Sequence, residues 1–341
     1  MVSMKDISAA CGVSVATVSK ALNDHKDVGE ETKLKIKKIA KEMGYFPNSS
    51  ARALKTNKSY NIGVLFVDEI PKSGLTHDYF ASILDSFKVA VEAKGYDLTF
   101  INSNNLRKGR LSYLEHSKFR GVDGVLIACV DFHDPEVVEL AQSDIPVVTI
   151  DYAFKDRLAV LSDNTKGIRD LLTYIYSKGH RKIAYIHGQR NSRVTEERIQ
   201  SFLDTAKELA LEVQEEYIVA GKYRDIPNAS KNAGELLNLK DRPTCIIFSD
   251  DYSAIGGMNE IKARGLNIPE DISIAGYDGS DIALQMEPQL TTIIQDTRMI
   301  GRIAADNLIN MIEKPSKTEV EHVMIEGILI EGNSVRQIGT N

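Results

Sequence analysis

Residues 11–23 read "CGVSVATVSKALN", and their spacing is that of a short helix: Val18, Ala21 and Leu22 fall at i, i+3 and i+4 behind a turn at Gly12. Ser, Val and Thr are mediocre helix formers, so helix stability alone does not account for their choice here. Ser14 is a natural N-cap. Upstream, Ser3 and Asp6 have capping-box spacing, and Ile7, Ala10 and Cys11 give a preceding helix one apolar face. Downstream, a third helix from about Glu30 to Met43 carries Ile36, Ile39, Ala40 and Met43 on one face. Lys33, Lys35, Lys37, Lys38 and Lys41 surround the rest, and Gly44 is its stop.

Two short helices about a glycine turn, closed by a third, make a helix-turn-helix arrangement. A second helix that enters a major groove about 12 Å wide needs leading side chains that are small or apolar. Val15 and Ala16 suit thymine methyls, while Thr17, Ser19 and Lys20 are free to bond base edges or phosphates, and Ser14 and Asn23 bound the same outward face. Small residues equally permit tight packing against the first helix, and both readings stand at this point. In "YFPNSSARALKTNKS" (45–59), Pro47-Asn48 ends the third helix and Asn48 or Ser49 caps a further short one, Ser50 to Lys55. A helix that short is marginal alone in water, which suits a hinge that orders only on DNA.

At 341 residues, 43% hydrophobic and 26% charged, the chain has room for two or three domains and is neither disordered nor fibrous in composition. No apolar run approaches membrane-span length and "MVSMKDISAA" does not read as a signal peptide, so a cytoplasmic location is expected. Cys11, Cys129 and Cys245 are far apart and in apolar surroundings, which favours reduced thiols over a disulfide framework or a metal site. The net charge of −6 is unevenly divided. Residues 1–60 hold 11 Lys/Arg against 6 Asp/Glu, and the remainder 31 against 42, so a small basic module precedes a large acidic one.

From residue 61 strands and helices alternate. "NIGVLFV", "YDLTFIN", "VDGVLIACV" and "IPVVTID" are separated by helices near 79–94, 107–119 and 134–142, and the pattern restarts with "RKIAYIHG", "YIVAG", "TCIIFSD" and "ISIAGYD". Runs this uniformly apolar are strands covered on both faces. The fold expected is therefore an all-α helix-turn-helix headpiece followed by an α/β domain of two doubly wound parallel-sheet lobes with a cleft between them. The boundaries are 1–46 for the headpiece, 47–60 for hinge and linker, 61–160 with 296–322 for the first lobe, and 161–295 with 323–341 for the second. After "LTTIIQD" and another helix comes "HVMIEGILIEGNS", so the chain crosses between lobes more than twice.

Ligands of open parallel sheets bind beyond the strand C-termini, where this chain places Asp68, Asp151, Asp250, Asp251 and Asp278. Any one of them suits an N-cap, and Asp251, directly before "YSAIGGMNEIKARG", is expected to be purely that. The other four would ring a cleft with acceptors for a polyhydroxylated ligand. Enzyme signatures are missing: GxSxG, HExxH, GxxxxGK[ST] and a strand-linked GxGxxG do not occur. Asp250 and Asp251 are adjacent, so their side chains diverge and cannot flank a glycosidic bond at the ~5–9.5 Å a glycosidase needs.

"MKDISAACGVSVATVSKALN" followed by "VGEETKLKIKKIAKEMGYFPNSSARALKT" closely resembles the headpiece of the lactose- and galactose-repressor family of bacterial transcription regulators. "GHRKIAYIHG", "RIQSF", "FSDDYSAIG" and "GLNIPEDISIAGYD" resemble later signatures of the same family, so the likeness covers residues 3–334. The family's effector domain is similar to periplasmic sugar-binding proteins. The resemblance implies that Val15, Ala16 and Lys20 read operator bases while Thr17 and Ser19 anchor to phosphate. It also implies that Leu54 wedges into the minor groove at the operator centre, with Asn48, Ser50 and Lys55 as neighbouring hinge positions. Tyr79 and Phe80 should line the cleft, Asp151, Arg198, Asp250, Asp278 and Gln295 should hydrogen-bond the effector, and Tyr223 should offer a stacking surface. The family departures are Gly29 at a cap, Asp250 where Asn is usual, and Ser201 for the Gly of RxxGF. The second adds a carboxylate that disfavours an anionic effector. The function implied is a homodimeric repressor of carbohydrate-utilisation genes on a pseudo-palindromic operator, switched by a sugar, with no cofactor and no metal. The alternatives are a corepressor-dependent regulator that answers a purine or a phosphocarrier protein, and a sugar-binding protein without regulatory role.

Overall fold

The computed structural model describes residues 2–46, 58–67, 74–102, 109–190, 192–315 and 321–339, and the chain divides into two compact units at Ser59/Tyr60. In the first unit, α1 (Met4–Cys11), α2 (Val15–Leu22) and α3 (Glu30–Glu42) enclose Ile7, Val18, Ala21, Val28, Ile36 and Ala40. The α1 capping box is closed, with Ser3 Oγ accepting from the Asp6 amide and Asp6 accepting from the Ser3 amide at 2.8 Å. Ser14 Oγ accepts from the Thr17 amide at 3.1 Å to open α2. Gly29 opens α3 without a side-chain cap.

Two headpiece expectations change. Ala10 is exposed, because the short α1 reaches the core through Ile7 and half-buried Cys11. Lys33 is buried: its aliphatic stem covers the core and its ammonium reaches Glu30 at 2.6 Å. Tight packing does not explain the small residues of α2, since Val15 is 39% exposed and Ala16 is exposed while Val18 and Ala21 make the helix contacts.

The second unit holds two parallel sheets. The first lobe comprises β1 (Asn61–Phe66), β2 (Asp97–Ile101), β3 (Gly124–Ala128), β4 (Val147–Ile150), β5 (Leu158–Ser162) and β11 (His322–Ile325), in the order β11-β5-β4-β3-β1-β2. Strands β3, β4 and β5 are buried throughout, as two covered faces require. Helices α4 (Asp78–Ala93) and α12 (Thr297–Glu313) cover one face, where Ile83, Phe87, Ile300 and Leu308 join the core, and α5 (Tyr113–Arg120) and α6 (Pro135–Gln142) cover the other. The two helices α4 and α12 approach so closely that a Cβ at Gly301 would lie 2.3 Å from the Ile83 carbonyl oxygen.

The second lobe orders β7 (Ile218–Ala220), β6 (Ile183–His187), β8 (Cys245–Phe248) and β9 (Ser273–Ala275) as β7-β6-β8-β9. Around it lie α7 (Asn164–Ser177), α8 (Arg193–Glu208), α9 (Ile226–Leu237), α10 (Asp251–Ala263) and the short α11 (Asp281–Leu284). Strands β10 (Thr292–Ile294) and β12 (Ile328–Ile330) form an antiparallel pair. β5 and α7, which lay unassigned between 151 and 181, complete the connection between lobes.

Among the described residues the chain crosses between the lobes three times: after β5, between β10 and α12, and between β11 and β12. The expected boundaries at 160/161 and 322/323 fall inside β5 and β11. β11 pairs with β5, His322 opposite Ala159, so the last crossing comes only after Ile325. Among the described residues no helix is long and apolar enough to cross a membrane.

Candidate functional site

The outward face of α2 is assembled by its own cap. Ser14 Oγ bonds Thr17 Oγ1 at 2.9 Å, and Asn23 Nδ2 donates to the Ser19 carbonyl at 2.7 Å, so the ends of the helix are closed and Val15 and Ala16 stand clear. Lys20 is exposed and ion-paired to Asp27, a partner that a phosphate can replace. Asn48, Ser50, Leu54 and Lys55 lie outside the described residues, as does Asp68.

A cavity of ≈ 380 Å³ opens at the strand ends between the two lobes. It brings together seven of the nine residues expected to hold an effector: Tyr79, Phe80, Asp151, Arg198, Tyr223, Asp278 and Gln295. Asp151 and Asp278 occupy matching places at strand ends of the two lobes, each with the left-handed backbone that a non-glycine residue adopts only under constraint (φ 57° and 99°). Asp151 Oδ2 accepts from the Tyr79 hydroxyl at 2.6 Å and its Oδ1 from the Ser162 amide at 2.9 Å. Burial and the Asp151 charge hold the Tyr79 phenol well above its ordinary pKa, so it stays a donor.

Arg198 sits on α8, 3% exposed. Its Nε donates to Asn164 Oδ1 at 2.8 Å, its Nη1 to the Ser249 carbonyl at 3.1 Å, and its plane lies 3.6 Å over the Tyr277 ring. Asp278 is 3.8 Å from Nη2 and accepts from Gln295 Nε2 at 2.7 Å. Burial pulls the guanidinium pKa down, but Tyr223, Tyr277 and Asp278 outweigh it and leave the net shift upward. Burial also pushes the Asp278 carboxyl up to about 6 against the pull of Arg198, with Asp250 adding to the rise. Gln295 Oε1 is buried without a hydrogen-bond partner among the described residues, an acceptor held open in the cavity wall. Tyr223 bonds Thr195 through its hydroxyl at 2.9 Å, and its ring takes the space left by Gly188, where a Cβ would lie 2.2 Å away.

Neither of two adjacent aspartates has the role expected of it. Asp250 is the N-cap of α10 and lies outside the cavity lining, 1% exposed. It accepts from the amides of Ser253 and Arg224, both at 2.9 Å, and from the hydroxyls of Ser249 and Ser253. A cap must be the last non-helical residue, and the extended backbone at 250 makes it so. Asp251 is already helical and is not the cap. Its buried carboxylate accepts from the Ser280 amide and the Thr292 hydroxyl, tying α10 to β10, and burial together with Asp278 pushes it up to about 8.

The cavity also includes residues that sequence reasoning passed over: His77, Phe132, His133 and Tyr152 from the first lobe, Gln189, Ser192 and Arg193 from the second. Phe132, Tyr152 and Gln189 follow β3, β4 and β6 by only a few residues, so the strand-end rule, applied to every side chain and not to carboxylates alone, would have found them. At the rim the lobes touch. Tyr252 of α10 donates its hydroxyl to Asp78 of α4, and Arg224 donates to the Thr76 carbonyl at 3.3 Å while lying 4.0 Å over the Tyr252 ring.

Residues 3–48 match the model of the bacterial regulatory proteins of the lacI family, and residues 172–335 that of a periplasmic binding protein-like domain. The chain is 33% identical to the HTH-type transcriptional repressor PurR of Pectobacterium carotovorum, over 98% of its own length and 97% of the relative's. It is 29% identical to a probable HTH-type transcriptional repressor, ExuR, of Bacillus subtilis over the full length of both. The Lac repressor dimer bound to operator and the anti-inducer ONPF has the same fold (TM-score 0.83, 22% identity, 98% of this chain and 99% of that one). So does the transcriptional regulator CelR in its cellobiose complex (TM-score 0.70, 24% identity, 98% and 100%). The exposed α2 face, the two-lobed cleft and full-length kinship with named repressors lead to one conclusion: the chain belongs to the lacI family of bacterial regulatory proteins and is a DNA-binding transcriptional repressor.

Proposed function

We propose that a neutral, polyhydroxylated effector, a sugar, binds between the lobes and sets the affinity of a homodimer for a pseudo-palindromic operator. The observation that carries this reading is the division of labour in the cavity wall. Buried donors and acceptors, Arg198, Asp278 and the open carbonyl of Gln295, come from the second lobe, while flat rings come largely from the first. A ring with hydroxyls at its edge and C–H groups on its faces satisfies both. Each hydroxyl lost from such a ligand leaves a buried group unpaired, the source of its selectivity. Carboxylates at 131, 151 and 278 outnumber the Arg193 and Arg198 cations of the lining, which weighs against an anionic effector.

Because the effector touches both lobes, it favours one lobe arrangement over another, and the dimer carries that preference to its two headpieces. A coupling of ~1–3 kcal/mol corresponds to a ~5–150-fold change in operator affinity, enough to switch a promoter. The test is a thermal-shift screen of the full chain against neutral sugars, sugar phosphates, uronates and purines, followed by DNA selection from a random pool with and without the hit. A neutral sugar that raises the melting temperature and alters retention of a two-fold symmetric site supports the reading. A response to purines alone, or enrichment of no symmetric site, overturns it.

A further inference from the structure

The outward face of α2, on which Lys20 is expected to read bases, carries a carboxylate beside that ammonium. The carboxylate is Asp27, and it comes from the turn after the helix. There the His25 amide donates to the Lys20 carbonyl at 3.0 Å and the Val28 amide to the His25 carbonyl at 3.4 Å, while the buried Val28 side chain pins the turn to the headpiece core. Folded back in this way, Asp27 accepts from the Lys20 ammonium, and that bond holds its carboxyl below the usual range, so it stays ionised. Both side chains remain about half exposed, at 50% and 53%, and are open to whatever the helix meets. Asp24, in the same connection, offers a contrast: it pairs with Lys37 of α3, away from the residues expected to read bases.

A carboxylate on a surface that meets a polyanion opposes binding. A phosphate can take the place of Asp27 at Lys20, but the displaced carboxylate then lies bare beside the phosphates, and repulsion offsets the gain. A base pair can satisfy both groups together. In the major groove G·C presents two acceptors side by side, guanine N7 and O6, and then a donor, cytosine N4. A·T sets its donor, adenine N6, between two acceptors, N7 and thymine O4. An ammonium and a carboxylate held side by side match the first order. On A·T the carboxylate meets a lone pair to either side of its donor, a repulsive element that adds to discrimination.

We propose that Lys20 and Asp27 are one reading unit for a G·C pair of the operator, Lys20 donating to guanine and Asp27 accepting from cytosine N4, and that on other DNA Asp27 withholds Lys20 from phosphate. The inference rests on α2 as the operator-reading helix and is independent of what fills the cavity.

The experiment selects sites from a random duplex pool with the full chain. Fluorescence anisotropy then gives the affinity for the selected site, for the same site with each G·C pair changed in turn to A·T, and for an unrelated duplex over a salt series. The proteins are the parent, Asp27→Ala and Asp24→Asn. Each variant breaks an exposed ion pair and should melt with the parent, and Asn suits the left-handed backbone at position 24. In the parent, changing one G·C pair of a half-site should weaken binding roughly ten-fold. In Asp27→Ala that factor should fall several-fold, while affinity for the unrelated duplex rises and its salt dependence steepens. Asp24→Asn removes the same charge and should leave the G·C factor at the parent's value. A G·C factor unchanged in Asp27→Ala, or lowered equally in Asp24→Asn, overturns the reading unit. So does unrelated-duplex affinity no higher in Asp27→Ala, whether or not a site is selected. A selected site without two-fold symmetry overturns the homodimer reading and leaves the unit to be judged on its one half-site. Enrichment of no site overturns both.

Discussion

The two surfaces assigned to recognition are built on opposite plans. On α2 the residues proposed to read bases are exposed, carried on a helix whose own cap and core contacts are made by other positions, Ser14, Val18 and Ala21. In the cavity the groups proposed to meet an effector are themselves structural: Arg198 is held by Asn164, the Ser249 carbonyl, Tyr277 and Asp278. A surface that meets a hydrated polyanion can be altered at little cost to the fold. A pocket that must reject near relatives of its ligand has to fix its polar groups in advance, and so cannot be altered without strain.

The sharpest test of that contrast is Arg198→Ala. It should cost about 3–5 kcal/mol of stability, because Asp278 and the Ser249 carbonyl lose a buried donor, and the effector response should vanish with it. A denaturant titration that finds the variant as stable as the parent would break the contrast. Next, pH should act on the second unit through Asp251 and Asp278. Both carboxyls are raised in the fold, to about 8 and about 6, above the usual ~3.9. The folded chain then holds protons that the unfolded chain has lost, so these two groups make stability fall as pH rises from about 4 toward 8. Urea midpoints across that range should show the slope, and Asp251→Asn should flatten its upper part.

Lys20→Ala should weaken operator binding by about 1–3 kcal/mol and relax the preference at the base it reads. Its thermal stability should stay within about 0.5 kcal/mol of the parent, since the Lys20–Asp27 pair is exposed. A large stability loss there would erase the distinction between the two surfaces. The smallest effect belongs to the rim. Tyr252→Phe removes one hydrogen bond between the lobes, to Asp78, and should weaken closure by about 0.5–1 kcal/mol, read as a raised effector dissociation rate in stopped flow.

Legibility in the sequence followed the same division. The headpiece was readable almost residue by residue, because helical phase, capping spacing and exposure are local properties of a short segment. Its errors, Ala10 outside and Lys33 inside, concern how far a side chain reaches. For the second unit, the alternation of strands and helices was plain, but β5 was missed and β11 was split by an expected boundary. A four- or five-residue strand becomes recognisable only when its neighbours in the sheet are known. In the cavity Arg198, Asp278 and Gln295 came together as expected, while Asp250 went to a cap and the Phe132–Tyr152 pair came unannounced.

Local chemistry in the amino-acid order therefore determined three things about this protein: where its headpiece helices begin, which face of α2 looks outward, and that two apolar-stranded lobes follow. The pairing of strands distant in sequence decided the rest. It settled that the Asp251 carboxyl ties α10 to β10, which rings meet across β3 and β4, and that Gln295 Oε1 is left without a partner among the described residues. Those outcomes depend on contacts between residues tens to hundreds of positions apart, whose free energy no single segment contains.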